Sequence, residues 1–168
     1  MSGAAVDPGD SIKLDELMRL IAGRLAPWCE ARSANHRVAG DVWHALDILA
    51  ASPLGLIAVL YWGGDDDNGQ EMGLCVQDIR LVLSRNKGLG VDPGANLTGS
   101  AAKEALYALV DDLRAWMRGG AFPANATSQA LDYRGTSPFV MPEGAPLDAY
   151  EMRFAITAAI ALQEGNTP

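Results

Sequence analysis

The chain has 168 residues, of which 49% are hydrophobic and 20% are charged. This composition excludes disorder over the whole chain and is typical of one packed domain. The 21 acidic and 13 basic residues give a formal net charge of -8. Because the Lys and Arg are scattered, we expect no sequence-specific nucleic acid binding. We predict a single domain at residues 11–162, between a loose N-terminus at 1–10 and a loose C-terminus at 163–168.

The N-terminal sequence MSGAAVDPGDSIKLDE has no basic region followed by an apolar stretch, so no secretory signal is expected. No apolar run approaches the roughly 18 residues that span a bilayer, so we expect no membrane partner. Without a secretory context, Cys29 and Cys75 are expected to be reduced, buried thiols rather than a disulfide.

Two helical patterns open the domain. Asp10 or Ser11 can cap a first helix that ends before Pro27. Its apolar residues recur every three or four positions: Leu14, Leu17, Met18, Ile21 and Leu25. A polar break from Glu30 to Arg37 follows. A second, shorter helix is predicted from near Asp41 to before Pro53, with three apolar positions: Trp43, Leu46 and Leu49.

The next two segments predict a pair of strands. Leu54 to Trp62 is a continuous apolar run, which favours a strand buried on both faces. Met72 to Arg85 alternates less cleanly and is predicted as the second strand. Gly63 to Glu71, with the sequence GGDDDNGQE, joins the two as a hairpin or surface loop.

This connection contains a candidate interaction loop formed by Asp65, Asp66, Asp67 and Asn68. It superficially resembles a calcium loop, but that register would require an acid at Gly64 and a glutamate at Val76. Three interpretations stay open: a solvated hairpin tip, an acidic docking surface, and adventitious cation binding. We assign no catalytic, cofactor-binding or metal-ligating residue and expect no cofactor.

The strongest helical pattern follows a loop-like segment from Asn86 to Gly99. Thr98 or Ser100 can cap its start, and Gly119-Gly120 can end it. Its apolar residues fall within one arc of roughly 140°: Ala102, Ala105, Leu106, Leu109, Val110, Leu113, Trp116 and Met117. The pattern predicts a helix lying on a sheet.

Two further strands are predicted near the C-terminus. A short edge strand is expected within Ala130 to Val140, in the turn-rich stretch from Ala121 to Pro146. Leu147 to Leu162 is predicted as a strand, because only a period of two gathers its large side chains on one face. That face holds Tyr150, Met152, Phe154, Ile156, Ala158, Ile160 and Leu162, opposite Glu151, Arg153 and Thr157.

The order of elements predicts an α+β fold: a mostly antiparallel four-stranded sheet with helices packed on one face. No GxSxG, Walker-type loop or HExxH is present, so we predict that the protein is not an enzyme. His36 and His44 lack a Cys, Asp or Glu at metal-ligand spacing, which favours surface or capping roles. Asp111 and Asp112 diverge by about 100° on their helix and are expected on a solvated face.

Five segments in this order carry a family resemblance: SIKLDELMRLIAGRL, LGLIAVLYW, MGLCVQDIRLVLSRN, SAAKEALYALVDDLRAWMRGG and PLDAYEMRFAITAAI. Over roughly residues 11–162, the chain resembles the tail terminator proteins of long-tailed phages. The resemblance implies a structural virion protein that forms a ring, expected to be a hexamer, on the last ring of the tail tube. Such a ring stops tube polymerisation and joins the tail to the head connector.

The partners implied by the resemblance are further copies of the chain, the major tail tube protein and the head-tail connector protein. The implied location is the head-proximal end of the virion tail, after assembly in the host cytoplasm. Two alternatives stay open at this point. One is another minor tail or head-tail joining subunit, and the other is a small α+β ligand-binding domain or enzyme with a pocket near the Gly88 to Gly99 loop.

Overall fold

A computed structural model describes residues 12–51, 55–66, 74–86, 106–120, 122, 130–141 and 147–159. Within these residues the helices are α1 (Leu14–Glu30), α2 (Val42–Ala50) and α3 (Leu106–Arg118). The strands are β1 (Asn35–Ala39), β2 (Gly55–Asp66), β3 (Leu74–Asn86), β4 (Asp132–Pro138) and β5 (Leu147–Ala159). None of the described helices is both long and apolar enough to cross a membrane.

The five strands form one open sheet in the order β1-β2-β3-β5-β4. β1 pairs with β2 in parallel, and the other three pairings are antiparallel. The predicted class, α+β with a mostly antiparallel sheet, is confirmed. The sequence predicts four strands, whereas the structure has five, because β1 begins within the segment predicted as a polar break and runs two residues past it. Only Ala39 of its five side chains is buried, so no apolar alternation marks this edge strand.

The sheet carries helices on both faces, whereas the sequence predicts them on one. α1 and α3 cover the face that includes Ala58 and Leu60 of β2, which we call the α1–α3 face. α2 packs on the opposite face, the α2 face, which includes Ile57 and Val59. β2 is therefore buried on both sides, as its continuous apolar run predicts.

The closing strand β5 has the predicted register. Its apolar residues point to the α1–α3 face and are buried or half-buried there: Tyr150, Met152, Phe154, Ile156 and Ala158. Glu151 and Arg153 point to the α2 face; Ile160 and Leu162 lie outside the described residues. β4 is an edge strand, as predicted from its prolines and turn residues.

α1 continues through Pro27 to Glu30, whereas the sequence predicts that it ends before the proline. Pro27 donates no backbone hydrogen bond, which costs helix stability. The cost is offset because Trp28 and Cys29, in the following turn, are buried in the core. Burial also raises the pKa of the Cys29 thiol to about 11. Cys29 and Cys75 are both free, as predicted, although Cys75 is only half-buried.

α3 buries the predicted face and ends at the predicted glycines. The amide of Gly119 donates to the Trp116 carbonyl at 3.1 Å, and that of Gly120 to the Arg118 carbonyl at 3.0 Å. Trp116 lies at the margin of the predicted arc and is half exposed. Its indole N–H donates to the carbonyl of Arg24 in α1 at 2.7 Å. Residues 98–105, including the proposed cap, lie outside the described part of the chain.

Trp43 lies on the exposed side of α2, although the sequence predicts it among the apolar positions of this helix. Ala45 and Leu49, four residues apart, face the sheet and are fully buried. Trp43 precedes Ala45 by two residues, which places it about 200° around the helix. It is therefore 72% exposed.

Asp41 caps α2 through its side chain, which accepts from the amide of His44 at 2.8 Å. We expect Asp41→Ala to lower the free energy of unfolding by about 1 kcal/mol, because one helix-terminal amide loses its partner. Urea denaturation followed by circular dichroism measures this. Asp47→Ala in the same helix is the matched control and should leave stability nearly unchanged; an equal loss in both variants would argue against a capping effect.

Candidate functional site

The structure places the first half of the candidate interaction loop in a strand. Asp65 and Asp66 end β2 and pair with Gln77 and Val76 of β3. β2 reaches this far because a bulge forms between Trp62 and Gly64, and Gly64 adopts a φ of 109° that glycine tolerates. Asp67 and Asn68 lie outside the described residues. In the described ranges no group of three or more His, Cys, Asp or Glu side chains could hold a metal ion.

The other residues considered from sequence do not converge. His36 lies in β1, while His44 lies in α2 and accepts the Gly40 amide on Nδ1 at 3.0 Å, a capping role. Asp111 forms an ion pair with Arg114 at 2.9 Å. The Gly88 to Gly90 turn lies outside the described ranges.

Asp112 is exposed, as predicted, and it also joins two helices. It accepts from the indole N–H of Trp28 at 2.8 Å and from Arg32. The carboxylate therefore holds the end of α1 against α3. This is a structural role and not part of a candidate site.

The densest polar arrangement in the described residues lies on the α2 face and joins three strands. Arg80 of β3 donates through Nη1 to Glu151 Oε1 of β5 at 2.7 Å and through Nε to Asp78 Oδ2 at 2.8 Å. Tyr61 of β2 donates its hydroxyl to Glu151 Oε2. The four groups meet because the β2–β3 and β3–β5 registers align their positions on one face of the sheet.

Hydrogen bonds to two carboxylates keep the Arg80 guanidinium of this network charged. Glu151 is only 8% exposed, whereas the Arg80 and Asp78 side chains are 28% and 34% exposed. Hydrogen bonding to Asp78 and then to Glu151 raises the pKa of Arg80, against the opposing effect of burial. Burial, followed by the hydrogen bond to Glu151, raises the pKa of Tyr61. Each carboxylate in the network is thus matched by a donor.

Two glycines let the arginines of this region lie flat on neighbouring strands. A Cβ at Gly63 would approach Asp78 Oδ2 to 2.6 Å and Arg80 Nε to 3.1 Å. At Gly135, where φ is 138°, a Cβ would lie 3.3 Å from Arg153 Nη2. A side chain at either glycine would therefore press against charged groups of the neighbouring strand.

Charges of both signs balance over this region, which we call the charged sheet face. It carries three cations and three anions: Arg80, Arg134, Arg153, Asp78, Asp132 and Glu151. Arg134 pairs with Asp132 at 3.0 Å. Among the described side chains of this face, cations and anions are thus equal in number, within a chain whose formal net charge is -8.

The sequence alone did not predict that these residues lie together, although it does mark several of them as polar positions of their strands. Asp78 and Arg80 occupy the polar phase of β3, and Glu151 and Arg153 occupy the polar side of β5. What joins them is the pairing of strands that are 71 residues apart at Arg80 and Glu151. No protein-family model matches the sequence, and no curated protein matches it either.

The charged sheet face holds its central carboxylate and guanidinium in fixed positions. The Glu151 carboxylate accepts from Tyr61 on one oxygen and from Arg80 on the other. The guanidinium of Arg80 is held in place before any partner arrives. Such ordering lowers the conformational cost of binding.

The raised pKa of Tyr61 predicts a loss of stability at alkaline pH. A tyrosine whose pKa is higher in the folded state contributes stability below its ordinary pKa of 10.0, and that contribution disappears as pH rises through the folded value. We expect Tyr61→Phe to flatten the decline in urea midpoint above about pH 10.

Tyr133→Phe is the control for this measurement, because hydrogen bonding to Thr136 lowers the pKa of Tyr133. A tyrosine with a lowered pKa contributes stability at alkaline pH, so its removal should steepen the decline. Identical pH profiles for the wild type and Tyr61→Phe would contradict the role given to the Tyr61 hydroxyl.

Proposed function

We propose that the protein is a structural virion subunit, a tail terminator that forms a ring on the end of the tail tube. The observation that carries the proposal is the charged sheet face: a pre-ordered network of both charge signs whose carboxylates are engaged by donors of the same chain. A surface of this kind supports repeated protein contacts rather than turnover of a substrate.

The arrangement of elements also supports the proposal. α1, the β2–β3 pair, α3 and β5 fall on the segments that carry the resemblance to tail terminators, in the same order along the chain. The fold is one open sheet with an edge strand at each side. Rings are built from heterologous contacts, in which two different patches of each subunit meet, and an open sheet offers distinct faces and edges for them.

The test is assembly followed by tube binding. We expect light scattering coupled to gel filtration to give a mass near six times the 17.8 kDa of the subunit, either alone or with tail tubes. Tubes assembled from the tail tube protein of the same genome should then carry the protein at one end, as seen by electron microscopy of labelled particles. A protein that stays monomeric and never associates with these tubes would refute the proposal.

The same experiment separates the related roles. A head-tail joining subunit with another position would bind head connectors and leave tube ends bare. A tail terminator stops tube growth, so adding it to polymerising tube protein should shorten the tubes in proportion to its concentration. Tubes of unchanged length in the presence of bound protein would count against the terminator role.

A further inference from the structure

We propose that Tyr107 and Tyr150 form an oxidative modification site, at which a one-electron oxidant joins their rings in a dityrosine cross-link within one chain. The oxidant belongs to the class of hydrogen peroxide activated by a haem peroxidase. The new bond ties α3 to β5 through residues that lie 43 positions apart in the sequence. This inference goes beyond the proposed function and does not depend on it.

The first observation is the contact between the two phenol groups. The hydroxyl of Tyr150 in β5 donates to the hydroxyl of Tyr107 in α3 at 3.2 Å. The rings meet edge-on, with their centroids 5.5 Å apart and an angle of 60° between their planes. The carbons that couple in a dityrosine are those next to the hydroxyl-bearing carbon. They lie at the hydroxyl end of each ring, and the contact brings these two ends together.

The second observation is that an oxidant in solution can reach the pair. Tyr107 is 49% exposed, while Tyr150 is half-buried. Tyr107 accepts the hydrogen bond between them, so its own hydroxyl proton is not used in this contact and can pass to water. The hydrogen bond to Tyr107, followed by burial, raises the pKa of Tyr150 to about 12. Tyr107 is therefore the first of the two to be oxidised.

The coupling follows from two successive oxidations. Each phenol gives up one electron and its hydroxyl proton and becomes a phenoxyl radical. The radicals join through one ring carbon each, and the hydrogens on these carbons then move to the oxygens, which restores both aromatic rings. The two electrons and two protons reduce one hydrogen peroxide to two waters. Exposed side chains change rotamer in picoseconds to nanoseconds, so the rings can turn into the coupling arrangement between the two oxidations.

The chain's other two tyrosines lack this arrangement. Tyr61 is 5% exposed and donates its hydroxyl to Glu151. The Tyr133 hydroxyl is bonded to Thr136 at 2.7 Å. In the described part of the chain, neither hydroxyl contacts another tyrosine. One cross-link within the chain is therefore expected.

The test treats the purified protein with hydrogen peroxide and a haem peroxidase, and then maps its tryptic peptides by mass spectrometry. The four tyrosines fall in four different tryptic peptides, 38–80, 104–114, 119–134 and 135–153. We expect the monomer band of a denaturing gel to contain peptides 104–114 and 135–153 joined, with their summed mass less two hydrogen atoms. Tyr107→Phe and Tyr150→Phe should each abolish this product. Tyr133→Phe is the matched control and should leave its yield unchanged.

Three results would overturn the inference. The first is a cross-link found only in bands of higher mass, because it joins different chains. The second is an equal yield of joined peptides that contain 38–80 or 119–134, because the modification is then not specific to this pair. The third is the absence of any joined peptide while free tyrosine added to the same reaction dimerises. None of these results concerns tube binding, so the proposed function is decided separately.

Discussion

Phe154→Asp is expected to abolish the folded state. Phe154 is fully buried at the centre of β5, and its ring packs edge-on against Tyr133 with centroids 5.9 Å apart. Truncating a buried phenylalanine to alanine costs about 3–5 kcal/mol, and aspartate adds the cost of burying a carboxylate with no partner. The total reaches the whole stability of a typical domain, about 5–15 kcal/mol.

The measurement is circular dichroism with thermal and urea unfolding. Arg153→Asp is the matched control, because it places the same carboxylate one residue away on the opposite face of the same strand. It should change the free energy of unfolding by no more than about 1 kcal/mol. Equal effects of the two substitutions would contradict the register of β5, which assigns one residue to the core and the other to the surface.

The register of β5 was predictable because its apolar residues fit the repeat of a strand and do not fit the repeat of a helix. Only a period of two gathers Tyr150, Met152, Phe154 and Ile156 on one side, and the structure buries or half-buries all four there. α3 was predictable for the corresponding reason, since a period of 3.6 collects its apolar residues in one arc. In both elements the local pattern and the tertiary environment agree.

Other elements could not be predicted from local patterns. β1 shows no apolar alternation, because it is an edge strand with a single buried side chain. The extension of α1 beyond Pro27 depends on the burial of Trp28 and Cys29 against elements distant in sequence. Gly63 and Gly64 are typical of a turn, yet here they form a bulge that lets β2 continue to Asp66.

The candidate site could not be predicted from the sequence for a further reason. Its residues are charged and alternate on strands, a pattern that also describes any solvated sheet face. Their function as one network follows from the pairing of Tyr61 with Arg80 across β2 and β3, and from the position of Glu151 beside them on β5. No spacing within one segment encodes that arrangement.

Arg80→Met is expected to lower the free energy of unfolding by about 3–5 kcal/mol. The substitution keeps a long apolar stem but removes the guanidinium that bridges Asp78 and Glu151. Glu151 then remains buried with the Tyr61 hydroxyl as its donor, and an ion that has lost its partner in a buried pair is strongly destabilising.

The double variant Arg80→Met, Glu151→Gln separates this cause from lost packing. Glutamine is uncharged and its oxygen still accepts from Tyr61, so most of the lost stability should be recovered. The two substitutions should show a coupling energy of about 1–3 kcal/mol in urea unfolding.

Arg134→Met is the control for removing an arginine from the same face. Its ion pair with Asp132 is mostly exposed, so the expected cost is below about 1 kcal/mol. If the double variant is no more stable than Arg80→Met alone, Arg80 contributes through its packing, and the charged sheet face loses the pre-ordered network on which its proposed role depends.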